Sequence, residues 1–191
     1  MVTELMQASK HGDVKLITEL LADGAEVNAR DTYGMTPLIW VARNGYAECV
    51  NALIAAGAEV NAQNTYGRMA LMYAAEWGYA ECVNALIAAG AEVNANGNDG
   101  VTALMLAAEY GRAECLTALI AAGADVNANN NDGRTALMLA AQNGYADCVG
   151  ALIAAGADVN AQNTYGWTAL MVATWTRRAA CVNALKAAGA K

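Results

Sequence analysis

The sequence predicts an all-α fold, a solenoid of stacked helix–turn–helix units joined by β-turn or hairpin loops, on three observations. Gly34, Gly67, Gly100, Gly133 and Gly166 recur every 33 residues, and Cys49, Cys82, Cys115, Cys148 and Cys181 keep the same period. The string NALIAAGAEVNA at 51–62 returns unchanged at 84–95, then with two changes each at 117–128 and 150–161. Within each period the apolar residues fall at helical spacing, three and four apart. A fixed period of this length marks a linear array whose units bury their apolar faces on one another.

The elements follow in order within each period, and residues 130–162 serve as the example. Asn131-Asp132-Gly133 marks a turn, and the Thr135 hydroxyl can cap the helix TALMLAAQN. Gly144 ends that helix, because glycine enters the left-handed conformation without a Cβ penalty. A second helix, ADCVGALIAA, is closed by Gly156, and ADVNAQ leads to the next turn. Leu137, Ala140, Ala141, Cys148, Leu152 and Ile153 form the expected buried seam, the alanines allowing close approach of the paired helices. The outward side of each second helix is also rich in alanine, with Ala47, Ala52 and Ala55 as the first instance. High helix propensity accounts for it, with a flat surface for self-association as the other account.

These features resemble the ankyrin repeat, whose unit of about 33 residues carries a T-P-L-H-x-A motif and a G-A-D-x-N turn. Thr36-Pro37-Leu38 matches the start of the motif, and Gly156-Ala157-Asp158-Val159-Asn160 matches the turn. The resemblance covers essentially the whole chain and implies one domain over 1–191. It divides into an N-terminal capping repeat at 1–30, full repeats at 31–63, 64–96, 97–129 and 130–162, and a C-terminal cap at 163–191. Three departures stand out. The motif histidine is absent, its column reading Met6, Ile39, Met72, Met105, Met138 and Met171, so the loops are expected to rely on backbone bonds and packing. Proline survives only as Pro37. Met69 replaces the capping threonine, at an expected cost of about 1 kcal/mol. In the last unit Arg177 replaces the helix-ending glycine, and Arg178 and Lys186 add charge, as a terminal repeat facing water requires.

Composition narrows the function. Hydrophobic residues make up 57% of the 191 residues and charged residues 15%, enough apolar surface for a packed fold. No run approaches a membrane span, and the N-terminus lacks the cationic start and apolar stretch of a secretory signal, so a cytoplasmic protein is expected. Net charge is −7 with no basic stripe, which disfavours nucleic acid and anionic membranes as partners.

No catalytic constellation is visible, and an enzyme is not expected. The single histidine, His11, sits beside Gly12 and reads as an exposed turn residue. The five cysteines occupy one place in successive second helices, where stacked helices lie about 8–10 Å apart. Neither a disulfide, needing Cα atoms within about 7 Å, nor a zinc site fits that ladder. They read as core thiols of a reducing compartment. The methionine column reads as core filling rather than as a metal or heme path. No cofactor or metal is expected.

The columns that vary between units are free of folding duty and carry the expected function. Before the turn glycine stand Tyr33, Tyr66, Asp99, Asp132 and Tyr165. After it come Met35, Arg68, Val101, Arg134 and Trp167. Near the end of the first helix are Arg43, Glu76, Glu109, Gln142 and Trp175, followed in three units by Trp77, Tyr110 and Asn143. A further first-helix column holds Trp40 and Tyr73, expected to be partly buried. The resemblance implies a concave face of turn tips and first helices that binds another protein, and these columns match its contact positions. Tyr33 and Tyr66 stand one period apart, as do Trp77 and Tyr110, and such aromatics often dominate binding energy. The expectation is a non-enzymatic protein-interaction module, monomeric rather than homo-oligomeric. The alternative is a structural scaffold or self-associating repeat protein without a ligand. The near-identity of the inner units is consistent with recent duplication or with engineering from a repeat template.

Overall fold

The computed structural model describes residues 2–191, and among them twelve helices alternate in short pairs. They are α1 (Glu4–His11), α2 (Val14–Ala22), α3 (Pro37–Asn44), α4 (Ala47–Ala55), α5 (Ala70–Trp77), α6 (Ala80–Ala88), α7 (Ala103–Glu109), α8 (Ala113–Ala121), α9 (Ala136–Asn143), α10 (Ala146–Ala154), α11 (Ala169–Trp175) and α12 (Ala179–Ala187). The chain forms two compact units, one ending at Glu92 and the other running from Val93 to Lys191. In the first, α1, α3 and α5 stack in a row, each paired with its following helix, while α2, α4 and α6 form a second row. In the second, α7, α9 and α11 form one row, and α8, α10 and α12 the other.

The first helix of each pair begins where the sequence places a threonine. Thr36, Thr102, Thr135 and Thr168 each accept the backbone N–H three residues on, at 3.3–3.4 Å. At Met69 that bond is missing, as its side chain requires, and the thioether is buried instead. The same helices end in the left-handed region, at Gly12, Gly45, Gly78 and Gly144, with φ between 71° and 86°. Arg177 takes the glycine's role with φ 59°, a conformation that costs a side-chain residue about 1 kcal/mol.

Several of these glycines answer a second demand. A Cβ on Gly45 would stand 2.5 Å from the Tyr79 ring, and one on Gly111 2.5 Å from the Tyr145 ring. Each ring thus fills the space over the glycine that ended the preceding first helix. At Gly144 the stem of Arg178 does the same at 2.8 Å.

Leu137, Ala140, Ala141, Cys148 and Leu152 are buried as the period predicts, but Ile153 is half-exposed at the rim of α10. The methionine column lies in the core from Met6 to Met138, whereas Met171 is 49% exposed in the last pair. On the second helices Ala55 and Ala88 face solvent, while Ala47, Ala52 and Ala85 are half-buried.

The loops correct the expectation that backbone bonds and packing alone would hold them. Asp31, Asn64, Asn130 and Asn163 each accept two backbone N–H groups across their own turn, at 2.9–3.1 Å. Where Gly97 takes that place, the Asp99 carboxylate accepts the Val101 N–H at 3.1 Å. Asparagines also tie successive pairs together. The Asn61 side chain donates to the Gly90 carbonyl at 3.3 Å and accepts from the Glu92 N–H at 2.9 Å. Asn28, Asn94 and Asn127 repeat both bonds with their own successors. These side chains do the positioning that the missing histidine would do.

Candidate protein-interaction surface

The turn tips are registered by backbone bonds between neighbouring loops. The Tyr33 carbonyl accepts the Thr65 N–H at 3.0 Å in the first unit. In the second, the Asp99 carbonyl accepts from Asn131 and the Asp132 carbonyl from Thr164, both at 3.1 Å. The rings of Tyr33, Tyr66 and Tyr165 project from these tips into solvent, at 60%, 59% and 77% exposure. Trp77 closes α5 in the first unit and Tyr110 caps α7 in the second, each exposed. Asp99 and Asp132 are exposed at the tips, and Val101 and Glu109 are half-exposed.

In three helix pairs the residue after the turn glycine meets the residue eight positions later, near the end of the first helix. Arg68 and Glu76 form an ion pair at 3.2 Å. Arg134 donates to the Gln142 amide oxygen. Trp167 and Trp175 meet edge to face, ring centroids 5.8 Å apart at 81°. The ion pair is largely shielded, so its side chains are held, though such a pair adds little net stability.

Two of the expected surface residues point elsewhere. Met35 is 4% exposed, its unbranched side chain folded inward until the sulfur accepts from Asn64 Nδ2 at 3.4 Å. Asn143 is half-buried, and its amide donates to the carbonyls of Glu109 and Leu139, both at 3.1 Å. Both serve packing between repeats. Arg43 is half-exposed but lies over the Trp40 ring at 5.4 Å and the Tyr73 ring at 5.9 Å, with Lys10 against Trp40 at 4.3 Å. Trp40 and Tyr73 are half-buried as expected.

The second unit gathers five of the expected residues into one place. Arg134, Gln142, Tyr165, Trp167 and Trp175, with Asn163 and Val172, line an open cleft of about 310 Å³.

The sequence matches the family described as "Ankyrin repeats (3 copies)" over residues 5–97 and 104–191. The chain belongs to the ankyrin-repeat family. Among solved structures it is similar to an ankyrin repeat domain from Acinetobacter baumannii AYE, with 35% identity, 98% of each chain covered and a TM-score of 0.88. No curated protein matches the sequence. Ankyrin repeats generally act as protein-interaction modules and are typically non-enzymatic.

Within this ankyrin array all five cysteines are buried thiols, not joined in disulfides. Burial, reinforced by the Glu114 carboxylate, pushes the Cys115 thiol up to about 11, and burial raises Cys49, Cys148 and Cys181 as well. Such thiols are poor nucleophiles and poor metal ligands at neutral pH. Among the described residues no helix is long and apolar enough to cross a membrane. Sequence reasoning passed over the turn-spanning Asp and Asn residues and the asparagine ties. The signal was present, because the asparagine of each V-N-A string recurs every 33 residues from Asn28 to Asn160.

Proposed function

We propose that this chain is a non-enzymatic module of the cytoplasm that binds one partner protein through its turn tips and first helices. The observation that carries the reading is where large apolar side chains stay exposed. Most of them, Tyr33, Tyr66, Trp77, Tyr110, Tyr165, Trp167 and Trp175, stand on turn tips or at first-helix ends, the others being Val2, Tyr145 and Met171. The outer faces of the second helices carry small alanines such as Ala55 and Ala88 instead. Rigid aromatic rings give much contact area for few frozen torsions, which suits them to anchor a partner.

The test is affinity capture with the intact chain, followed by titration of the protein retained. Tyr33→Ala with Tyr66→Ala should weaken binding about 30-fold, while both rings are exposed enough that the melting temperature hardly moves. Ala55→Lys with Ala88→Lys, on the opposite rows, should leave affinity unchanged. Loss of binding in the lysine pair alone would place the partner on the back of the array. The alternative, a ligand-free scaffold, draws on the near-identity of the second helices, and it predicts that no protein is retained.

A further inference from the structure

We infer that the cleft of the last helix pairs accepts an acidic peptide segment carrying one large apolar side chain. The inference rests on the interaction role proposed above and names the partner's chemistry at one place on that surface.

Size and walls come first. A cleft of about 310 Å³ is at the lower end of volumes that hold small ligands, and suits one or two side chains. Trp167 and Trp175 wall it edge to face, with Tyr165 beside them. The wall is preorganised. The Asn163 side chain accepts the backbone N–H groups of Tyr165 and Trp167, each at 3.0 Å. Thr164 donates both its N–H and its hydroxyl to the Asp132 carbonyl, at 3.1 and 2.9 Å. The backbone that carries Tyr165 and Trp167 is thus already ordered when a side chain enters.

Charge then selects the occupant. The equivalent ion pair in the first unit neutralises Arg68 with the Glu76 carboxylate. In the cleft the same position holds Gln142, so the Arg134 guanidinium meets only a neutral amide oxygen. Outside the cleft lining, Arg178 donates from Nε to the Gln142 backbone carbonyl at 3.2 Å, which holds the residue that Arg134 bonds. The wider surroundings act in the same direction. Every carboxylate side chain of the protein lies at or before Asp158, and Arg177, Arg178, Lys186 and Lys191 follow it. The stretch 159–191 therefore carries only cationic charged side chains, which favours a carboxylate over a cationic ligand on the Trp167 and Trp175 side of the cleft. Guanidinium forks match carboxylates in geometry, and an apolar neighbour on the same peptide would seat against the tryptophan wall. Single-stranded nucleic acid could also stack on these rings, but one guanidinium in the cleft of a chain of net charge −7 provides no track for a phosphate backbone.

The experiment is a titration of the full chain, followed by amide chemical shifts and by anisotropy, with four labelled probes. These are the hexapeptide EDFLDE, its basic counterpart KKFLKK, the apolar-free EDSSDE, and a ten-residue oligothymidylate. EDFLDE should bind with a Kd of about 100 μM at low salt and weaken as salt rises, and the other three should bind at least about tenfold more weakly. Trp175→Ala, at a ring 74% exposed, should weaken EDFLDE about tenfold with the fold intact. Arg134→Glu should do so independently and reduce the salt dependence. Equal binding of KKFLKK or of the oligonucleotide would overturn the inference. So would EDFLDE binding that ignores Trp175→Ala and Arg134→Glu yet is lost in Tyr33→Ala with Tyr66→Ala, a result that leaves the interaction role standing. If no probe binds while affinity capture still retains a protein through the turn tips, the inference falls alone. If nothing is retained either, both fall.

Discussion

Gly45 and Gly57 both hold a left-handed backbone, with φ 79° and 87°, yet they stand in different surroundings. Beyond Gly57 a Cβ would meet open space, whereas at Gly45 it would meet the Tyr79 ring at 2.5 Å. Gly57→Ala should therefore lose only the backbone term, about 1 kcal/mol. Gly45→Ala should lose that and about 1–3 kcal/mol more from overpacking, read as a lower denaturant midpoint. Adding Tyr79→Ala should return part of the second loss but none of the first. The same scale shows what was legible in the sequence. Threonine caps and terminal glycines are local devices, set by a residue's own backbone, so Thr135 and Gly144 read correctly from order alone. Met35 did not, because its burial depends on Asn64, from the next turn. Asn143 did not either, since its partner is a carbonyl on the preceding first helix. A varying column looks free of folding duty until the neighbour that occupies it is seen.

Among the elements, the second helices carry the thiols and bury them. Deprotonation would place a charge among the apolar residues of that row, which is why burial raises Cys49, Cys115, Cys148 and Cys181 above the usual thiol range. The sign of the pH effect follows. Unfolded, Cys115 ionises near its ordinary value of 9.0, and folded near about 11. Between those values the unfolded chain holds fewer protons, so stability falls as pH rises. The contribution is complete below pH 9 and lost by about pH 11. Thermal unfolding should thus be flat with respect to these groups through neutral pH and decline in that alkaline window. An aromatic disulfide reagent at pH 8 should label the cysteines only when denaturant is added. Rapid labelling of the folded chain would show that the rows open far more readily than their packing implies.

For the molecule as a whole, repetition makes stability a sum of pair energies and neighbour terms. Removing residues 97–129, which hold α7 and α8, should leave a helical protein with a lower unfolding midpoint, as circular dichroism in denaturant would show. Complete loss of helical signal would contradict a linear array. Repetition was the most legible feature of the sequence, because a period needs no knowledge of contacts. The cleft was less so, since it depends on two tryptophans eight residues apart meeting at an edge. The pairs Arg68–Glu76, Arg134–Gln142 and Trp167–Trp175 share one backbone register, yet one is ionic, one amide-bonded and one aromatic. The register behaves as a two-letter address on each rung. On these three rungs either letter can be rewritten without touching the caps, glycines and asparagine ties that spell the scaffold. A lineage or a designer can thus redirect what a rung recognises while leaving how the array folds unchanged.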